Sequence, residues 1–236
     1  MKGSVSKIET SGFVDGPGIR TVIFLNGCKL RCKYCHNPEM WNKSKDNMTS
    51  DELVEKVLHN KEYYGQNGGV TLSGGEPLVQ DKFLIEVCEK LKKHHIHIAL
   101  DTAGVGNGHY EELLNLIDLV ILDIKDTDSN NYQELTGHTI DESLKFIDVC
   151  NKLNKKIWIR QVIIPGRNDN IEYLKSLVEV LKGINNIEKI EFLPYHNMAI
   201  KKYEQLGIDY PYKQIPAMDK EKCDELYNKF MEMYIC

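Results

Sequence analysis

The sequence has no apolar stretch long enough to cross a membrane. A transmembrane helix needs about eighteen apolar residues in a row, and no run approaches that length. Its opening segment, MKGSVSKIETSG, lacks the apolar core of a secretory signal peptide. It also has no excess of basic residues, since the formal net charge is −5 and the pI is about 5.9. These absences predict a cytoplasmic protein whose partner is neither a membrane nor a nucleic acid.

No linker, low-complexity tract or internal repeat divides the chain. Its 236 residues, 42% of them hydrophobic, suffice for a sizeable core and match the length of one barrel-type α/β domain. We therefore expect a single domain over residues 1–236.

Short apolar runs rich in β-branched residues alternate with longer amphipathic stretches. Strands are predicted at 20–27, 68–75, 96–102, 118–125, 155–164 and 187–196. Helices are predicted at 49–65, 81–95, 109–117, 139–155 and 170–184. Thr49 or Ser50 is the expected N-cap of the first helix, because acidic residues follow in its first turn.

This alternation predicts parallel strands that are joined by right-handed helical crossovers. Near-continuous apolar strands are typical of a sheet that is buried on both faces. Six units are too few for a closed eight-stranded barrel. We therefore predict an α/β fold, a partial (β/α)6 TIM-type barrel with its site at the C-terminal ends of the parallel strands. A doubly wound open sheet is the alternative.

Polar residues stand where the predicted strands end. The second strand runs into SGGEP, which contains Gly75 and Glu76, and later strands carry further polar groups, at their ends in the case of Asp101, Thr102, Asp123, Lys125 and His196, and within the fifth strand in the case of Arg160. In parallel α/β folds the loops at these strand ends build the site. The sequence therefore predicts that these side chains meet at one mouth.

The first predicted strand leads into GCKLRCKYCHNPE, which places Cys28, Cys32 and Cys35 within eight positions. The other cysteines are scattered along the chain, at Cys88, Cys150, Cys223 and Cys236. In a cytosolic chain this pattern favours a metal site over a disulfide framework.

Three kinds of site compete for this cysteine loop. A haem attachment at C-x-x-C-H requires export and leaves Cys28 unused. A structural zinc site with His36 as fourth ligand has acceptable ligand types, but zinc ligands usually come as two separated pairs. A [4Fe–4S] cluster takes four thiolates. Three thiolates leave one iron open to a small ligand, so the cluster becomes a reaction centre.

The C-x-x-x-C-x-aromatic-C spacing, with Tyr34 as the aromatic residue, resembles that of the radical S-adenosylmethionine enzymes. The stretches VDGPGIR, CKYCHNPEMW, VTLSGGEPL, LDTAG, LVILDIK, WIRQVIIPG and IEFLPYH together resemble the activases of glycyl radical enzymes over almost the whole chain. Their order and spacing are most similar to the activases that act on pyruvate formate-lyase. No cysteine lies between Cys35 and Cys88, which favours a compact type with a single cluster.

The resemblance implies the cofactors and the residues that hold them. S-adenosylmethionine occupies the open iron, and an electron from the cluster cleaves it to methionine and a 5′-deoxyadenosyl radical. The implied cluster ligands, which are also the catalytic residues, are Cys28, Cys32 and Cys35. The implied cofactor contacts are Tyr34, Cys35, His36, Gly75, Glu76, Asp123, Ile124, Lys125 and His196. A monovalent cation is implied at Asp101, Thr102 and Asp123.

The resemblance also implies protein partners. Pyruvate formate-lyase is the expected substrate, and flavodoxin or ferredoxin is the expected electron donor. Asp15 and Arg160 match positions that dock the glycine loop, although Asp15 also suits a turn and Arg160 an internal salt bridge. The alternatives are an activase of another glycyl radical enzyme, a radical enzyme with a small-molecule substrate, and a zinc module that only binds a partner.

Overall fold

The structure, a computed structural model, describes residues 1–108 and 110–235. The strands are β1 (Lys2–Gly3), β2 (Val5–Gly12), β3 (Arg20–Leu25), β4 (Met48–Thr49), β5 (Gly69–Gly74), β6 (His97–Thr102), β7 (Leu119–Asp123), β8 (Ile157–Ile163) and β9 (Ile187–Pro194). The helices are α1 (Ser50–Leu58), α2 (Asp81–Lys93), α3 (Tyr110–Leu114), α4 (Ser129–Thr136), α5 (Asp141–Lys152), α6 (Ile171–Lys182), α7 (Ile200–Leu206) and α8 (Lys220–Ile235). Three 3₁₀ turns lie at Pro38–Met40, Lys61–Tyr64 and Pro77–Gln80.

The main sheet has seven strands in the order β2-β3-β5-β6-β7-β8-β9. All neighbours are parallel except β2, which pairs antiparallel with β3. The six parallel strands follow one another in chain order, without the reversal of order that marks a doubly wound sheet. The predicted partial barrel is therefore confirmed, and it is open because β9 does not pair with β2.

Side chains alternate between the two faces of the strands. Leu100, Val120 and Ile159 belong to the large core that the strands share with the helices. On the inner face, Ile121 and Trp158 pack with Ala99 and Leu119. Charged and polar residues replace these apolar side chains toward the C-terminal strand ends, so the polar groups of the barrel collect there.

Every predicted strand and helix that falls on described residues is present, with small differences at the ends. The first predicted helix is too long, because α1 stops at Leu58 and a separate 3₁₀ turn covers Lys61–Tyr64. Its N-cap is Thr49, whose side chain and that of Glu52 form a reciprocal capping box. The predicted helix 109–117 begins at His109, which lies outside the described residues.

The sequence-based prediction omitted β1, β2, β4, α4, α7 and α8. Strand β2 is an edge strand with mostly exposed side chains, so it lacks the apolar run that marked the other strands. The signals for α4 were present, because Asp128 accepts a hydrogen bond from Asn131 N as N-cap and Gly137 adopts the left-handed conformation at the other end. In the described part of the chain, no helix combines the length and apolarity that crossing a membrane requires.

Candidate active site

A cavity of about 380 Å³ opens at the C-terminal ends of the parallel strands. Most of the predicted site residues line it, namely Asp15, Cys28, Cys32, Tyr34, Cys35, His36, Gly75, Glu76, Asp101, Thr102, Asp123, Lys125 and Arg160. Ile124 and His196 do not. The structure therefore brings together in one cavity groups that lie up to about a hundred and fifty residues apart in the chain.

The cysteine loop is held in place by backbone hydrogen bonds on two sides. On one side, Cys28 N donates to the Trp41 carbonyl at 3.0 Å. On the other, Arg31 N and Lys33 N donate to the carbonyls of Thr136 and Leu135 at 2.7 and 2.9 Å. Those two carbonyls belong to the last turn of α4, where the helix leaves carbonyls without partners. The helix end thus fixes the segment that carries the cysteines.

The three thiols fit a cluster better than a single metal ion. Burial raises the pKa of Cys28 and of Cys32 to about 12 and also raises that of Cys35. The thiols pack against the small apolar cluster that Leu30 and Val105 share. Soft sulfur donors in a dry apolar setting suit an iron–sulfur cluster, which stabilises the thiolate form.

The part of the chain that the structure describes offers no ready ligand set for a mononuclear zinc ion. Among residues 1–108 and 110–235, no three His, Cys, Asp or Glu side chains converge so as to hold one metal ion. The predicted fourth zinc ligand, His36, instead directs its Nε2 to the His196 carbonyl at 2.8 Å. Ligands of a cubane sit on separate irons, so they need not converge on one point.

The SGGEP loop packs directly against the start of the cysteine loop. Glu76 N donates to the Gly27 carbonyl at 2.8 Å, and a Cβ on Gly75 would lie only 2.4 Å from that oxygen. Glycine at position 75 is therefore required for this close backbone approach.

The Glu76 carboxylate is almost completely buried, at 1% exposure. It accepts hydrogen bonds from Thr102 Oγ1 at 2.6 Å, Ala103 N at 2.9 Å and Leu78 N at 3.2 Å. Burial raises its pKa to about 7, although these donors oppose the shift. Glu76 therefore connects the end of β5 to the end of β6, besides placing a carboxyl group at the cavity.

Two aspartates at neighbouring strand ends each have a basic partner. Asp101 accepts from Ser73 Oγ at 2.7 Å and lies 3.6 Å from Arg160 Nη1, while burial raises its pKa to about 6. Asp123 pairs with Lys125 at 2.8 Å. Burial opposes the charge of Lys125, but Asp123 and other neighbours outweigh it and raise the pKa of the ammonium.

Asp123, Ile124 and Lys125 point alternately to opposite faces at the end of β7. Asp123 and Lys125 both face the cavity. The Ile124 side chain points the other way and is buried beside Tyr132 and Ile147 of α4 and α5. Only the backbone of Ile124 is therefore available toward the cavity, and its N–H already donates to the Arg160 carbonyl at 2.9 Å.

His196 lies behind His36 and not in the cavity wall. The two imidazole rings stack with their centroids 4.0 Å apart and their planes at 13°. The Nδ1 atom of His196 is buried without a hydrogen-bond partner among the described residues. This unpaired atom at the edge of the cysteine loop is a free polar group that a ligand can satisfy.

Arg160 is engaged by the protein's own residues. Its guanidinium donates to Glu191 at 3.2 Å and to the carbonyl of Val14, next to Asp15. Burial lowers the pKa of Arg160, but Asp101, Asp123 and Glu191 outweigh that effect and raise it. Burial raises the pKa of Asp15, against the opposing charge of Arg160. The internal salt bridge considered for Arg160 is thus present, and it also ties down the loop that carries Asp15.

Sequence reasoning missed several residues of the cavity wall, among them Phe24, Trp41, Ser73, Val162 and Leu193. The alternation along each strand could have found most of them, because Phe24, Ser73, Val162 and Leu193 lie on the same inward face as the predicted polar residues. Cys88, Cys150 and Cys223 are buried in helices away from the cavity wall, and Cys236 lies outside the described residues.

The structure is thus an open parallel barrel with three cysteines in the loop after its first parallel strand. The family model of the Radical SAM superfamily matches residues 22–178. A pyruvate formate-lyase-activating enzyme from Clostridium pasteurianum is 46% identical over 99% of both chains. One from Staphylococcus epidermidis is 39% identical over 96% of this chain and 94% of the relative. The solved structure of Streptococcus suis SuiB bound to precursor peptide SuiA shares the fold, with a TM-score of 0.67 at 16% identity over 96% of this chain and 47% of that one.

The chain therefore belongs to the Radical SAM superfamily and, within it, to the family of pyruvate formate-lyase-activating enzymes. As a member of that superfamily it is an enzyme that uses a [4Fe–4S] cluster and S-adenosylmethionine.

Proposed function

We propose that this protein activates pyruvate formate-lyase under anaerobic conditions by removing a hydrogen atom from a backbone glycine of that enzyme. The observation that carries the proposal is the shared cavity, in which three cysteines of one loop face the polar strand ends of β5 to β8. The similarity to activating enzymes along nearly the whole chain supports the choice of partner.

We assign the cluster to Cys28, Cys32 and Cys35, whose sulfurs supply three of its four ligands. When bound, the cluster supplies the electron that cleaves S-adenosylmethionine to methionine and a 5′-deoxyadenosyl radical. The protein's own residues keep this chemistry dry. Leu30, Ala103 and Val105 pack behind the sulfurs and exclude water from that side.

We assign the binding of S-adenosylmethionine to the groups around the open side of the loop. Lys125 is a largely desolvated cation that can pair with the carboxylate, and Glu76 and Asp123 place negative charge near the ammonium and sulfonium. The backbone at Gly75 and Ile124 and the side chains of Tyr34, His36 and His196 complete the proposed contacts. The monovalent cation at Asp101, Thr102 and Asp123 stays a prediction, and both aspartates already have basic partners.

We assign substrate docking to Asp15 and Arg160, which line the same cavity and are brought together by the hydrogen bond from Arg160 to the Val14 carbonyl. A hydrogen atom passes from the glycine α-carbon of the partner to the 5′ carbon, which leaves a glycyl radical and 5′-deoxyadenosine. Glycine suits this step because it has no side chain to block close approach. Flavodoxin or ferredoxin is the proposed electron donor, the cytoplasm the proposed location, and residues 1–236 a proposed single domain.

The proposal is tested by mixing the anaerobic protein with a reductant, S-adenosylmethionine and inactive pyruvate formate-lyase. Electron paramagnetic resonance should detect a glycine-centred radical on the partner. Cys28→Ala should give none, while Cys150→Ala, a buried cysteine outside the cavity wall, should still give the radical. Cleavage of S-adenosylmethionine without a radical on the partner would contradict the proposal and favour a small-molecule substrate.

A further inference from the structure

A lysine from the C-terminal part of the chain binds the backbone just after the third cysteine. Lys202 of α7 donates to the His36 carbonyl at 2.9 Å, to Asn37 Oδ1 at 2.9 Å and to the Glu39 carboxylate at 2.6 Å. An ammonium has three N–H donors, so all of them are used within this one short segment. The contact joins residues 166 positions apart.

Asn37 behaves unusually for a residue in its position. It precedes the 3₁₀ turn at Pro38–Met40, yet its side chain makes no capping hydrogen bond. Its Oδ1 is instead directed to Lys202, while its backbone N–H donates to Cys35 Sγ at 3.4 Å. Lys202 therefore fixes the residue whose N–H reaches a cysteine sulfur.

The Lys202 contact is part of a packed interface and is not an isolated surface ion pair. The next residue of α7, Tyr203, is buried and meets the Trp41 ring edge-on with the ring centroids 5.7 Å apart. Beside it, the rings of His36 and His196 stack. This part of α7 lies beyond residues 22–178, which match the superfamily model, so the contact belongs to the C-terminal part of this chain.

Hydrogen bonds to cluster sulfurs and nearby positive charge both favour the more negative, reduced form of an iron–sulfur cluster. We propose that Lys202 is a positioning residue that holds His36–Glu39 so that Asn37 N–H stays on Cys35 Sγ, and that it thereby raises the reduction potential of the cluster. The inference rests on the proposed assignment of Cys35 as a cluster ligand.

The test is the midpoint potential of the cluster, measured by a redox titration monitored by electron paramagnetic resonance. Lys202→Met should lower the ratio of reduced to oxidised cluster about tenfold at a fixed potential, a shift of about 59 mV for one electron. The matched control is Lys201→Met, which removes the same charge from the adjacent exposed position. Its potential should stay at that of the unsubstituted protein. Equal potentials for the two variants would overturn the inference.

A second variant separates positioning from charge. Asn37→Ala keeps the backbone N–H but removes the acceptor that Lys202 holds, so it should shift the potential in the same direction. If the Lys202→Met variant does not take up the iron–sulfur cluster, the potential of the Asn37→Ala variant tests the inference alone. The double variant should shift the potential no further than Lys202→Met does; additive shifts would overturn the inference. Absence of iron from the unsubstituted protein would overturn the cluster assignment itself, whereas iron with unshifted potentials overturns only the role of Lys202.

Discussion

At the scale of single residues, the site places ionisable groups where water cannot reach them. Glu76 illustrates the consequence, because three donors bind its carboxylate and yet its pKa is raised to about 7 from the usual 4.5. The desolvation of a buried carboxylate outweighs its hydrogen bonds here. A nearby cationic ligand would restore the balance, which suits a site for a sulfonium.

The first prediction concerns the pH dependence of stability in the absence of S-adenosylmethionine. The folded state holds the Glu76 proton more tightly than the unfolded state does. Protonated Glu76 therefore contributes fully to the free energy of unfolding below about pH 4.5, and this contribution is lost as the pH rises through about 7. Glu76→Gln should therefore reduce the fall in the free energy of unfolding between about pH 4.5 and about pH 8 by on the order of 3 kcal/mol. Denaturant titrations at several pH values measure this fall.

Glu55→Gln, on the exposed side of α1, is the control for that measurement and should leave the pH profile unchanged. Parallel profiles for Glu76→Gln and the unsubstituted protein would show that the Glu76 pKa is not raised.

The second prediction separates the cofactor side of the cavity from the docking side. Lys125→Ala removes a charged donor from a site where the lysine side chain is 12% exposed, so S-adenosylmethionine binding should weaken by roughly 1.5–3 kcal/mol. Arg160→Lys keeps a charge beside Asp101 and Glu191 but loses the planar fork. It should bind the cofactor normally and activate the partner poorly. Equal losses of cofactor affinity in calorimetry would show that Arg160 is misplaced.

At the scale of elements, α4 is the support for the cysteine loop. The loop donates to the last carbonyls of this helix at Leu135 and Thr136, and the Lys33 side chain pairs with Glu134, the residue just before them. A helix of eight residues has little stability of its own, so its caps matter. Asp128 forms the N-cap, with its side chain 2.9 Å from Asn131 N.

The third prediction compares the N-cap of α4, Asp128, with the N-cap of α1, Thr49. The two caps should stabilise the protein by similar amounts. Asp128→Ala and Thr49→Ala should each lower the free energy of unfolding by about 1 kcal/mol. Only Asp128→Ala should speed the loss of iron to a chelator, because α4 accepts backbone hydrogen bonds from the cysteine loop and α1 accepts none. Iron release at the same rate in both variants would mean that α4 does not support the cluster.

At the scale of the whole molecule, the sequence was most informative where one property dominates. Five of the six parallel strands, β3 and β5 to β8, are mostly buried and rich in branched apolar residues, so their apolar runs located them. The edge strand β9 has one buried residue, Ile190, but it keeps enough apolar residues to be predicted. Strand β2 was not predicted, because it is an exposed edge strand with polar side chains. Helix α8 was not predicted either, although Cys223, Leu226 and Phe230 follow a helical spacing and are buried.

The same contrast holds for the site. The spacing of the cysteines and the polar strand ends could be read directly, because parallel strands place their ends together. Contacts between segments that are distant in the chain could not be predicted in this way. Two examples are the hydrogen bond from Arg160 to the Val14 carbonyl and the contact of Lys202 with residues 36–39. Both depend on how loops fold back over the barrel, and no local sequence pattern encodes that.

The proposed reaction moves a hydrogen atom from a glycine of the partner to the 5′ carbon of the deoxyadenosyl group. The direct measurement is mass spectrometry of 5′-deoxyadenosine after reaction with pyruvate formate-lyase whose glycines carry α-deuterium. Direct transfer should leave one deuterium in 5′-deoxyadenosine and collapse the splitting of the partner's radical signal. Unlabelled 5′-deoxyadenosine, formed while the partner radical appears, would contradict direct transfer.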